Sequence, residues 1–257
     1  MMSREPTGLD RARLAWLTGN TEGALWLIRR VLLIDADDGR AWELRGLIHR
    51  DRSEPEECVS ALEMASLLVP LSPLARFALA ESYGKAGRRE LSRDLYLELV
   101  QNPATTVPLL LQAACGLDSI DRPAAAMWAC RSALDRDPGN GQACYDMSYY
   151  AARSGCPLRI VESLARKAVS LEPDRLQFRI GLASLLLRHD RAAEAGRVIS
   201  GVSPDQLHQL DCQCCLERIA ELCETVGDWQ RVVVCRERLL QLEARSGHNT
   251  GDERDDT

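Results

Sequence analysis

The residues best suited to chemistry in this sequence are cysteines near its C-terminal end. The chain has 257 residues and ten cysteines, and Cys212, Cys214 and Cys215 are close together. On a continuous helix, His208, Cys212 and Cys215 would have the spacing i, i+4, i+7 and share one face, where two thiolates and an imidazole could hold zinc. Structural zinc sites usually add a second Cys-x-x-Cys-like segment, which we do not find. The sequence therefore favours no metal and no cofactor, with His208, Cys212 and Cys215 as the minor alternative.

Most other cysteines are predicted to fill the core of a helical protein, because they occupy positions where small apolar residues pack. These residues are Cys58, Cys130, Cys144, Cys223 and Cys235. Cys156 lies in a predicted turn and is the expected exposed thiol. Because the sequence shows no export signal, we expect the thiols to be reduced.

Catalytic signatures are missing from the sequence. It contains no Gly-x-x-x-x-Gly-Lys phosphate loop, no Gly-x-Ser-x-Gly elbow and no His-Glu-x-x-His helix. None of the four histidines has a carboxylate spaced to form a nucleophile–base pair with it. We therefore expect a protein that is not an enzyme.

Composition and charge exclude further classes of function. Hydrophobic residues make up 46% and charged residues 27%, so the chain can bury a core. The net charge of −6 argues against a nucleic-acid partner. The longest apolar stretches are too short to cross a membrane, and the first residues lack the apolar run of a signal peptide. The sequence predicts a soluble, cytoplasmic protein.

The elements that carry these residues recur with a fixed period. Prolines follow helix ends at Pro70, Pro138 and Pro173. Pro70 and Pro138 are 68 residues apart, which is two periods of 34, and Pro138 and Pro173 are 35 residues apart. Each period is typical of two helices joined by a short turn, and the turns are centred on Gly, Asp or Ser residues. No segment alternates with period two, so we expect no strands.

A period of 34 residues built from two helices resembles the tetratricopeptide repeat family over nearly the whole chain. One unit carries the family pattern at Trp42, Gly46, Cys58, Leu62, Ala65 and Pro70, and four further units follow in register. The resemblance implies an all-α, right-handed α-solenoid of about seven antiparallel helix pairs. It predicts one domain over residues 1–245, with units at about 5–38, 39–72, 73–106, 107–140, 141–175, 176–206 and 207–245. Residues 246–257 are predicted to be a disordered acidic tail.

The resemblance also implies where a ligand would bind, because the first helix of each pair lines a concave groove. The groove residues that we select are Phe77, Glu81, Leu111, Tyr145, Tyr149, Arg153 and Arg188. Aromatic and aliphatic anchors beside arginines suit a peptide or helix of a partner protein. The leading hypothesis is thus a non-catalytic interaction scaffold. A chaperone-like or regulatory helper of a secretion or enzyme complex, and a thiol or zinc redox sensor, are the alternatives.

Overall fold

The protein consists of α-helices joined by short turns. The computed structural model describes the backbone of residues 7–248 and the side chains of residues 7–244. Within these limits the chain forms fifteen α-helices and no β-strand, which confirms the all-α prediction. None of the described helices is long and apolar enough to cross a membrane. The chain divides into two compact units, the first ending at Pro138 and the second beginning at Gly139.

The first unit contains four helix pairs. They are α1 (Gly8–Leu17) with α2 (Thr21–Ile34), α3 (Gly39–Asp51) with α4 (Pro55–Leu68), α5 (Pro73–Lys85) with α6 (Arg89–Gln101), and α7 (Val107–Ser119) with α8 (Pro123–Arg136). Each helix packs against its partner and against the neighbouring pair, as in a solenoid of stacked repeats.

The second unit contains three more pairs. They are α9 (Gly141–Arg153) with α10 (Leu158–Leu171), α11 (Leu176–Leu187) with α12 (Ala192–Ile199), and α14 (Gln213–Val226) with α15 (Trp229–His248). The short helix α13 (Pro204–His208) lies in the connection before α14 and packs against α15. The seven pairs agree with the number of predicted units.

Local chemistry explains where the pairs turn. In each of the seven turns within a pair, one residue has a positive φ, at Gly19, Ser53, Gly87, Asp121, Gly155, Asp190 and Gly227. This left-handed backbone region is open to glycine and costs other residues energy. Six of these residues lie in turns that the sequence predicted, whereas the turn at Asp121 was not predicted.

Close packing between helices depends on small residues. Ala80 of α5, Ala114 of α7 and Ala183 of α11 are fully buried. A Cβ atom on Gly116 would lie 2.3 Å from the ring of Tyr96, so the Tyr96 side chain occupies the space that any larger residue would need. Because interiors are close-packed, such positions determine how near two helices come.

The last predicted unit differs in its boundaries. Its first long helix begins at Gln213 rather than near 207, since α13 ends at His208. The helix α15 continues to His248, so the first three residues of the predicted tail, 246–248, are helical. The remainder of that tail, 249–257, lies outside the described residues.

The fully buried Ala114 tests the packing. We expect Ala114→Leu to lower the free energy of unfolding by about 1–3 kcal/mol, because the added atoms must displace packed neighbours. Urea unfolding followed by circular dichroism at 222 nm measures this change. Ala124→Leu on the exposed face of α8 is the matched control. Equal stability of the two variants would contradict the packing described here.

Substitutions at Gly87 test separately whether the positive φ in a turn requires glycine. Its φ is +77°, and a Cβ atom there would meet no neighbour within 4 Å. Gly87→Ala should therefore destabilise the protein by about 1–2 kcal/mol through backbone strain alone. Gly87→Asn should cost less, because asparagine tolerates this conformation better. The same urea assay compares the two variants, and an equal loss would contradict the assignment.

Candidate functional site

The second unit contains an open cavity of about 320 Å³ that includes three of the seven selected groove residues. It is lined by Tyr145, Ser148, Tyr149 and Ala152 of α9, Val161 and Ala165 of α10, Gly181, Ser184, Leu185, Leu187 and Arg188 of α11 and its C-cap, and Arg218 and Glu221 of α14. The structure thus brings together three of the selected residues, Tyr145, Tyr149 and Arg188. Their role in binding a partner stays a prediction.

Tyr145 is held rigidly in the wall of the cavity. Its ring stacks on Phe178, with the ring centroids 4.8 Å apart and an interplanar angle of 24°. The ring also lies against Gly181, where a Cβ atom would be only 2.5 Å from it. Burial raises the pKa of the Tyr145 hydroxyl, so the phenol stays neutral at physiological pH.

Tyr149, one turn later on α9, is the exposed aromatic residue of the cavity. Its side chain is 53% exposed. The ring packs edge-on against the buried Tyr150, with the centroids 5.4 Å apart. An aromatic ring that is fixed on one side and open on the other can bury apolar area of a ligand with little loss of side-chain entropy.

The charged residues of the cavity include two arginines, Arg188 and Arg218. Within the part of the chain that the structure describes, neither Arg188 nor Arg218 forms an ion pair. By contrast, Arg191 in the same unit binds two carboxylates, those of Glu162 at 2.7 Å and Glu194 at 2.6 Å. The guanidinium groups of Arg188 and Arg218 are therefore available to an anionic group of a ligand.

Sequence reasoning missed Arg218. None of the groove residues selected from the sequence lies on α14, although Arg218 and Glu221 of this helix both line the cavity. Arg218 precedes Glu221 by three residues and therefore lies on the same helix face, which is the signal that would have found it. Arg153 is exposed but does not contribute to the cavity wall.

The groove residues selected in the first unit are engaged in packing. The side chain of Phe77 is only 6% exposed, so little of its ring is accessible to a ligand, and its role in a groove stays a prediction. Arg50 lies over this ring at 5.1 Å and also donates to Glu81 at 2.7 Å. Partial burial opposes ionisation of Glu81, but the hydrogen bonds from Arg50 and Lys85 lower its pKa. Leu111 is half-buried in α7.

The cysteines divide into two classes by exposure. Cys58, Cys130, Cys144, Cys223 and Cys235 are buried, which confirms their predicted place in the core. Cys156 is half-buried in its turn, whereas Cys115 and Cys214 are exposed. Cys156 is therefore not the only accessible thiol, contrary to expectation.

The predicted arrangement of His208, Cys212 and Cys215 on one helix face is wrong, because α13 ends at His208 and Cys212 is the N-cap of α14. Instead, the sulfur atoms of Cys212, Cys214 and Cys215 lie within 4.8 Å of one another. The Sγ atoms of Cys212 and Cys214 are 3.1 Å apart. Hydrogen bonds from Cys214 and Cys215 lower the pKa of Cys212, and burial raises that of Cys215 to about 12.

Comparison with known proteins identifies the fold. No family model and no curated protein matches the sequence. Among solved structures, the C-terminal part of a TPR repeat-containing protein from Cytophaga hutchinsonii is similar at a TM-score of 0.66 and 12% identity, over 92% of this chain and 95% of that one.

Two further structures are similar over shorter lengths. YrrB, described as a TPR protein with an unusual peptide-binding site, has a TM-score of 0.57 and 17% identity, over 72% of this chain and 90% of its own. MamA has a TM-score of 0.56 and 15% identity, over 69% of this chain and 99% of its own. The protein therefore has the tetratricopeptide-repeat fold, as the resemblance implied.

The burial of the cysteines leads to a direct test. A thiol reagent such as Ellman's reagent should label at most five thiols of the native protein, and all ten only in denaturant. Burial also raises the pKa of Cys223 to about 11 and that of Cys235 to about 12, which slows them further because the thiolate is the nucleophile. Labelling of more than five thiols without denaturant would contradict the described core.

Proposed function

We propose that this protein is a non-catalytic interaction scaffold that binds a peptide or helix of a partner protein at the cavity of its second unit. The observation that carries the proposal is the combination of an open apolar cavity with two arginines that have no ion-pair partner among the described residues. The apolar part supplies binding energy, and the charges supply orientation and specificity.

The size and lining of the cavity suit an apolar side chain of a peptide. A volume of about 320 Å³ is at the lower end of the range for binding pockets, about 300–1,000 Å³. Tyr145 and Tyr149 stand one helical turn apart, so both rings can contact the same inserted group. Tyrosine is among the residues enriched at the energetic centres of interfaces.

The charges favour an acidic group next to that anchor. A carboxylate near Arg188 and Arg218 would gain charge-assisted hydrogen bonds with bidentate geometry. Glu221, one turn after Arg218, would repel a second acidic group placed beyond it. We therefore expect a partner segment in which one carboxylate adjoins an apolar residue.

Two further observations support binding rather than catalysis. The residues that line the cavity include no histidine and no cysteine, and Glu221 is their one carboxylate. The hydroxyl of Ser148 donates to the Tyr145 carbonyl oxygen at 2.8 Å, so its proton is bonded to a backbone group rather than to a catalytic base. The described peptide-binding site of YrrB supports the capacity of this fold to bind peptides.

The cytoplasmic location expected from the sequence stays a prediction.

Peptides selected from a random-sequence display library on the immobilised full-length chain test the proposal. We expect the selected peptides to combine an apolar or aromatic residue with a nearby carboxylate. In titration calorimetry with a selected peptide, Tyr149→Ala should weaken binding by about 2 kcal/mol or more if the ring is buried. Arg188→Ala and Arg218→Ala should weaken binding and reduce its dependence on salt, because each removes one charge pair.

Matched controls come from exposed residues away from the cavity. Trp128 on α8 is 44% exposed, and Arg159 on α10 is also exposed. Trp128→Ala and Arg159→Ala should bind the peptide like the unmodified chain. If these two variants lose binding while the cavity variants keep it, the ligand binds elsewhere. If no peptide is enriched at all, the chain does not bind peptides.

A further inference from the structure

The beginning of helix α14 gathers three thiols that the proposed peptide site does not use. Cys212 is the N-cap of the helix and has an extended backbone, with φ −92° and ψ 105°. Cys214 and Cys215 are the second and third residues of the helix. An N-cap side chain points back over the second and third helical positions, where capping residues normally bond. The sequence Cys-Gln-Cys-Cys at this helix start therefore brings all three sulfur atoms together.

We propose that Cys212, Cys214 and Cys215 form a binding site for a thiophilic d¹⁰ metal ion, Cu⁺ or Zn²⁺. The three sulfur atoms lie within 4.8 Å of one another. Zinc–thiolate bonds of about 2.3 Å in a tetrahedral site place sulfur atoms ~3.8 Å apart, and trigonal coordination places them slightly farther apart. Small side-chain rotations bring the present positions to either value.

The ligand set explains why the ion belongs to this class. Thiolates select soft ions such as Cu⁺ and Zn²⁺ over hard ions such as Mg²⁺ and Ca²⁺. Among the described residues, no histidine, aspartate, glutamate or further cysteine joins the three thiols as a fourth ligand. Three thiolates complete a trigonal Cu⁺ site, whereas Zn²⁺ would add a water molecule as the fourth ligand. We therefore expect Cu⁺ to be held by protein ligands alone.

Access and charge are also suitable. Cys214 is exposed and the other two thiols are half-buried, so an ion can enter without unfolding the chain. Coordination converts the thiols to thiolates and releases their protons to the solvent. The first turn of a helix favours negative charge, which helps to offset the thiolate charge left after the ion is bound. The buried cysteines of the core lack this access.

Metal titration of the full-length chain tests the site. The chain is purified reduced and metal-free, and Cu⁺ or Zn²⁺ is then added against a chromophoric competing chelator. We expect one equivalent of tightly bound ion, and at least tenfold weaker binding by the variant Cys212→Ser/Cys214→Ser/Cys215→Ser. The control variant Cys115→Ser/Cys156→Ser removes two other accessible thiols and should keep the full equivalent.

One equivalent of either ion that disappears in the triple variant supports the site, and the two titrations show which ion it prefers. Absence of binding for both ions, or equal binding by the triple variant, overturns the proposal. Alkylation followed by mass spectrometry needs no variant: bound metal should protect Cys212, Cys214 and Cys215 while Cys115 still reacts. Unprotected alkylation of the three thiols in the presence of metal would also overturn it.

Discussion

The candidate site depends on the contact between Tyr145 and Gly181. The ring of Tyr145 occupies the space that a Cβ atom at position 181 would need, so α11 approaches α9 closely at this point. That approach places Phe178, one turn earlier on α11, in a stack with the same ring. The stack fixes one wall of the cavity. Tyr149 extends from α9, one turn after Tyr145. A glycine thus decides where this aromatic wall forms.

The cavity arginines differ from the arginines that form ion pairs between helices. Elsewhere, arginines connect neighbouring helices, as Arg191 does with Glu162 of α10. Such exposed pairs contribute little stability each, about 0–1 kcal/mol, but they neutralise and position the charges. Arg188 and Arg218 have no such partner among the described residues, and both lie where the surface is concave. This arrangement is the basis of the proposal that the cavity recognises an anionic group.

Helix α14 carries both proposed sites. Its first turn contains the thiol cluster, and Arg218, one turn after Cys214, lines the cavity. Burial raises the pKa of the Tyr145 hydroxyl and the positive charge of Arg218 lowers it, so α14 lies close to the Tyr145 wall of the cavity. An ion bound at the start of α14 would therefore alter the electrostatic field at the edge of the peptide cavity.

The sequence by itself determined the features that depend on local chemistry. The 34-residue period, the Gly, Asp and Ser turns and small residues such as Gly46 and Ala65 can be read from the sequence, so the helix pairs were predictable. Tyr145, Tyr149 and Arg188 were selected from helical spacing, and the structure places all three at one cavity. Tertiary structure decided the rest, since burial depends on neighbours distant in sequence. Packing against Arg50 and Tyr96 buries Phe77 in its own network. The end of α13 separates His208 from the cysteines, and the N-cap geometry of Cys212 assembles three thiols instead.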